Sequence, residues 1–184
     1  MRELLLILRD ILSFKRGPQD LPYAPNLAGA VVAGAILFEV VASLFDDKSL
    51  TTLLPAVVVW HLVPIGLLYL LLNARGFNGR FVQTVLAQAL VDLVFLVLAV
   101  PLIVMLGDFN PQTAQTLQPG QMLVGLLSLV IGLWKLCTLA HILRNALEVP
   151  FFAGILITIL IGVAKMIVIV ALFGERVVPT GVGV

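Results

Sequence analysis

Hydrophobic positions in this chain do not alternate with polar ones; they come in long blocks. Apolar runs of about 20 residues, the length that crosses a bilayer core, fall at 25–45, 52–73, 81–106, 121–145 and 150–173. The pattern predicts an all-α membrane protein, a bundle of five transmembrane helices. The joints are polar. "DDKS" links the first pair of runs and "NARGFNGR" the second, where Gly76 and Gly79 allow a tight turn. "GDFNPQTAQTLQPG" is a longer polar loop. "NALEVP" is so short that the last two helices must be antiparallel neighbours, and Pro150 suits the first turn of the fifth.

Residues 1–16 follow a different period. On a helical wheel most leucines and isoleucines share one arc, while Arg2, Arg9, Asp10, Ser13 and Arg16 share the other, with Leu6 as the misfit. This predicts an amphipathic helix lying in the membrane interface; the alternative is a short cytosolic helix packed on the bundle. "GPQDLPYAP" ends it, and Pro18, Pro22 and Pro25 keep the link to the first span extended. The expected organisation is an amphipathic helix and Pro-rich linker over 1–24, a transmembrane domain over 25–173 and a short tail over 174–184. The run Leu4 to Leu8 is too short, and too soon followed by Arg9 and Asp10, to read as a signal peptide.

Composition reinforces the membrane reading. The 184 residues are 61% hydrophobic and 11% charged, with a mean hydropathy of +1.15, against about 25% charged residues in soluble domains. A net charge of +1 gives no basic field for nucleic acid. The single cysteine, Cys137, offers no zinc spacing, and no metal or cofactor is expected. Arg2, Arg9, Lys15, Arg16, Arg75, Arg80 and Arg144 would share one side of the membrane and only Lys48 and Arg176 the other. By the positive-inside rule the N-terminus is cytoplasmic and the C-terminus outside.

Four charges nevertheless sit inside the spans. A solitary ammonium there costs roughly 2.5–3.5 kcal/mol on insertion scales. At 1.5 Å per residue, Lys135 and Asp92 both lie roughly 15–17 Å from the cytoplasmic ends of their spans, and Glu39 and Lys165 both roughly 22 Å. Matched depth predicts two ion pairs, Asp92–Lys135 and Glu39–Lys165, that fix how the helices pack. Thr84, Gln88 and Asp92 share one face of the third span; Lys135, Thr138 and His141 one side of the fourth; Gly154, Thr158, Gly162 and Lys165 one side of the fifth. Such stripes mark helix contacts. His61 lies near the middle of the second span, beside Pro64, which frees the carbonyl of Trp60, as Pro101 frees that of Val97. Trp60 and Trp134 read as packing residues, with a cation–π contact to a lysine as the alternative. No nucleophile elbow, HExxH or phosphate loop is present, and no catalytic residue is assigned.

The order of parts resembles the Yip family, five-span membrane proteins known in eukaryotes as Rab-GTPase-interacting factors. "LLYLLLNARGFNGRFVQTVLAQAL" and "LSLVIGLWKLCTLAHILRNALEVPFFAGIL" carry the likeness, which covers roughly residues 20–173. "DLPYAP" departs from the family's Asp-Leu-Tyr-Gly-Pro element by an added proline and by Ala24 in place of glycine, so Rab binding is not carried over. The resemblance implies a cytoplasmic N-terminus and a non-enzymatic role in organising membrane or recruiting other membrane proteins, often as a homo-oligomer, and by analogy a bacterial inner membrane. The expected function is therefore a scaffold or adaptor. Its contact surface to anionic lipid or partners would be Arg9, Lys15, Arg16, Arg75 and Arg80, or, for a neighbouring helix, the small residues Gly29, Ala30, Ala33 and Gly34. The alternative is a small transporter or channel using Asp92, Lys135, Glu39, Lys165 and His61. Dry packing around these charges would favour the scaffold, a hydrated cavity the transporter.

Overall fold

The computed structural model describes residues 2–43, 50–106 and 119–177. It is all-helical over these residues: α1 (Arg2–Leu12), α2 (Pro25–Ser43), α3 (Leu50–Ala74), α4 (Phe81–Leu106), α5 (Pro119–Leu147) and α6 (Phe151–Val177), with short 3₁₀ turns at Pro18–Asp20 and Asn78–Arg80. Four helices, α3 to α6, are long and apolar enough to cross a membrane; α2 is apolar over a shorter stretch, Pro25–Val41. Lys48, the joint at 46–49, the loop at 107–118 and the tail beyond 177 lie outside the described residues.

The long helices are apolar nearly all round, as helices surrounded by lipid are. Leu126, Val130, Leu160 and Ile167 are among many large side chains turned outward. Such helices satisfy their backbone internally, which hydrocarbon demands. Gly29, Ala30, Ala33 and Gly34 also face outward, so this stripe is not used inside the bundle. Gly154 is different: a β-carbon there would lie 2.5 Å from the carbonyl oxygen of Ala140, so its lack of a side chain lets α6 approach the backbone of α5. This contact follows directly from the short "NALEVP" hop.

Neighbouring helices run α2, α4, α5, α6, α3 and back to α2, closing a ring. One end of the ring is solid. Leu68 and Leu72 of α3, Leu86 and Val91 of α4, and Ile142, Leu143 and Leu147 of α5 are buried there together with Leu8 and Ile11 of α1.

Three chain reversals at that end share one device. In each, an amide reaches back five residues: Lys15 to the Asp10 carbonyl (2.8 Å), Phe77 to Leu72 (2.8 Å) and Val149 to Arg144 (3.1 Å). These are Schellman closures, which put the preceding residue in the left-handed region. Gly76 does so freely at φ 74°, whereas Phe14 (61°) and Glu148 (53°) do so against the preference of side-chain-bearing residues. The first closure corrects an expected boundary: the N-terminal helix ends at Leu12 rather than near 16.

Candidate functional site

Inside the ring lies a cavity of about 400 Å³. That gives room for on the order of ten waters at about 30 Å³ each, within the roughly 300–1,000 Å³ of small-molecule sites. All five helices of the ring line it, and each brings a polar or charged side chain: Glu39 from α2, His61 from α3, Gln88 and Asp92 from α4, Ser128 and Lys135 from α5, and Lys165 from α6. The rest of the wall is apolar or aromatic, with Ile65, Phe95, Leu96 and Ile131 among its residues.

The structure brings Asp92 and Lys135 together across the α4–α5 contact, Nζ to Oδ1 at 2.8 Å. Their side chains remain 39% and 38% accessible. The pair therefore borders open space instead of being sealed in packed side chains, which lessens the desolvation that makes buried pairs expensive.

The other expected pair does not form. Glu39 faces His61 instead, Oε2 to Nε2 at 3.6 Å. The Lys165 ammonium lies 3.5 Å from the centroid of the Trp60 ring, and among the described residues it makes no ion pair with a carboxylate. Equal depth was a correct guide to level but not to azimuth. α2 and α6 are not neighbours in the ring; α3 stands between them, and its Trp60 and His61 each take one of the charges. The aromatic face attracts a cation through its quadrupole while leaving ammonium hydrogens free.

His61 carries a further constraint. Its Nδ1 lies 3.0 Å from the Val57 carbonyl oxygen. A carbonyl only accepts, so the proton belongs on Nδ1. Its Nε2 faces the Glu39 carboxylate.

Thr138 and His141 belong elsewhere. Both are buried, and neither lines the cavity; His141 serves the docking of the N-terminal segment. The Thr138 hydroxyl donates to the Trp134 carbonyl at 2.9 Å. His141 Nε2 lies 3.0 Å from the Arg16 carbonyl, and its ring meets Phe14 edge-on at 5.5 Å. Trp134 also has more than a packing role: its Nε1 donates to the Leu12 carbonyl at 3.1 Å, and its ring sits edge-on to Phe95 at 5.1 Å. An indole N–H in an apolar setting needs an acceptor, and that requirement was the available signal. Gln83 adds a bond from its amide to the Leu21 carbonyl. Three α4 and α5 side chains thus hold the N-terminal segment against the bundle.

The five basic residues expected to meet anionic lipid divide into two sets. Arg75 donates to the Leu147 carbonyl (3.3 Å). Arg80 donates to the carbonyls of Asn145 (3.3 Å) and Ala146 (3.4 Å) and pairs with Glu148 (2.6 Å). Both cap the C-terminus of α5, whose last carbonyls lack helical donors and carry the negative end of the dipole. Both guanidinium groups of this turn are thus engaged within the fold. Arg9 and Arg16 pair with Asp10 at 2.8 and 3.4 Å, and Lys15 is exposed. The hydrogen bond from Arg9 holds the Asp10 carboxyl below the usual carboxylate range.

Comparison with family models, with curated proteins and with solved structures finds no match, so function must be argued from this geometry.

Proposed function

We propose that this is an integral membrane protein that admits a small polar or ionic solute into its helix ring, as a small transporter or channel. The observation that carries the reading is the charged cavity: every helix of the ring contributes a polar or charged side chain to one space of about 400 Å³. A static bundle would fill that space. Charged groups in a membrane interior are costly, and a lining shared by five helices gives those charges a common purpose. The expected organising or recruiting role draws less from the geometry, because Arg75 and Arg80 are engaged within the fold.

In this reading α2 is the fifth span, and α1 rests in the cytoplasmic interface. Leu8 and Ile11 face the bundle, while Leu5, Leu6 and Phe14 are exposed beside Arg9, a combination suited to a headgroup layer. The N-terminus is cytoplasmic by the distribution of basic residues. The likeness to the Yip family and a bacterial inner membrane remain part of the proposal, on the residues quoted above, as do self-association through the outward small residues of α2 and contact with other membrane proteins.

Proteoliposomes test the function. Iso-osmotic swelling with a series of small neutral and ionic solutes should show permeation that depends on the protein and is lost when Lys135 and Asp92 are both replaced by leucine. Vesicles no more permeable than protein-free controls to every solute of cavity size would sink it.

A further inference from the structure

We infer that the solute taken by this cavity is a small monovalent anion with an apolar body, and that Lys165, seated on Trp60, is the group that receives its charge. The inference rests on the solute-admitting reading above and adds the sign and class of the solute. It follows from matching each charge in the cavity with its partner. Asp92 and Lys135 neutralise one another at 2.8 Å. Glu39 faces the His61 ring, Oε2 to Nε2 at 3.6 Å. Lys165 is left. Its contact is a ring face at 3.5 Å, which leaves ammonium hydrogens turned from the ring to donate elsewhere.

Among the described residues Lys165 is therefore the one ammonium of the cavity with no carboxylate within ion-pairing distance, in surroundings where such a charge attracts a counter-ion far more strongly than in water. Asp92 and Glu39 already have basic partners, so a cationic solute would have to displace Lys135 or His61. An anion displaces nothing. The lining also speaks to class. Ile65, Phe95, Leu96 and Ile131 present hydrocarbon and aromatic surface around the charged groups. A short carboxylate could cover that wall with its alkyl part and place its oxygens at Lys165. A divalent anion such as sulfate has no apolar part and a larger desolvation cost.

Trp60 makes the test optical. The chain has two tryptophans, so the difference between the native protein and Trp60→Phe isolates the cavity ring. The purified full-length protein in lipid nanodiscs is titrated with acrylamide, iodide and caesium as neutral, anionic and cationic quenchers. Acrylamide and iodide should quench the Trp60 component and caesium should not. Lys165→Gln should lower iodide quenching about tenfold, the lower end of electrostatic focusing in a cleft, and leave acrylamide unchanged. Lys165→Arg, which keeps the charge, should retain the iodide preference and guards against a folding defect in the glutamine variant. Butyrate should protect Trp60 from iodide, and sulfate should not. Caesium quenching equal to iodide while acrylamide still enters, or iodide quenching indifferent to Lys165→Gln, would overturn the anion assignment alone. Equal protection by sulfate would overturn the apolar monoanion. Failure of acrylamide to reach Trp60 would remove the solute-admitting cavity itself.

Discussion

The two ends of the helix ring solve the same problem in opposite ways. At the α1 end, large side chains from α1, α3, α4 and α5 fill the interior completely: Ile11, Leu68, Leu72, Leu86 and Ile142 are all 0% exposed. Backbone groups there find partners on other elements, through Arg75, Arg80, Gln83, Trp134 and His141. Deeper in the ring, the helices hold polar side chains around open space, and the contacts are between charges and rings. One region is organised by close packing and by completing helix ends. The other is organised around charge. Lipid offers no hydrophobic drive for helix association, so the interlocked end has to supply the cohesion that permits the cavity.

Truncations should expose the contrast most strongly. Ile142→Ala, in the filled end, should destabilise the protein by about 2–4 kcal/mol, whereas Leu96→Ala on the cavity wall should lose about 1 kcal/mol or less, since no new void opens in packed atoms. Unfolding in mixed micelles with rising SDS measures both. Equal losses would mean that the cavity wall is packed as tightly as the core.

A smaller effect is expected where α1 meets α5. Trp134→Phe keeps the ring beside Phe95 and deletes the donor to Leu12, so α1 should lose about 1 kcal/mol of docking free energy. Hydrogen exchange confined to the first twenty or so residues would report it. Unchanged protection there would show that Gln83 and His141 hold the segment without Trp134.

The smallest effect concerns Asp10. Its carboxyl is held below the usual range first by the hydrogen bond from Arg9, then by the surrounding positive charges of Arg9, Arg16 and Lys15. A carboxylate depressed on folding contributes stability above its unfolded value, about 3.9, and loses it as pH falls through the lower folded value. Local exchange in α1 should therefore not respond to Asp10 between about pH 5 and 8 and should quicken only in more acidic solution, a change that Asp10→Asn removes. Quickening near neutrality would assign the switch to another group.

How much of this was legible in the sequence depends on the length scale of each signal. Runs of apolar residues placed the long helices within a few positions, because a bilayer-length segment is set by many residues acting together. Depth along a helix is a linear count, so Asp92 and Lys135 could be levelled from sequence. Which helices stand side by side is not a linear property. Glu39 and Lys165 share a level but are separated by α3, and only the closed ring reveals Trp60 and His61 as their partners. The caps made by Arg75 and Arg80 were hidden for the same reason: the carbonyls they reach lie about seventy residues away, at the end of another helix. The cavity arises where five curved surfaces fail to meet, and no periodicity encodes that.

The central claim is that the two ends of the ring differ in access to water-borne reagents. It can be tested in a Cys137→Ser background, which removes the single native thiol. A cysteine is placed either at Ser128, on the cavity wall, or at Ala87, 0% exposed in the filled end, and each variant is treated in proteoliposomes with a charged methanethiosulfonate. The account predicts rapid labelling of Ser128→Cys and none of Ala87→Cys in the folded protein. Ser128→Cys as unreactive as Ala87→Cys would contradict it.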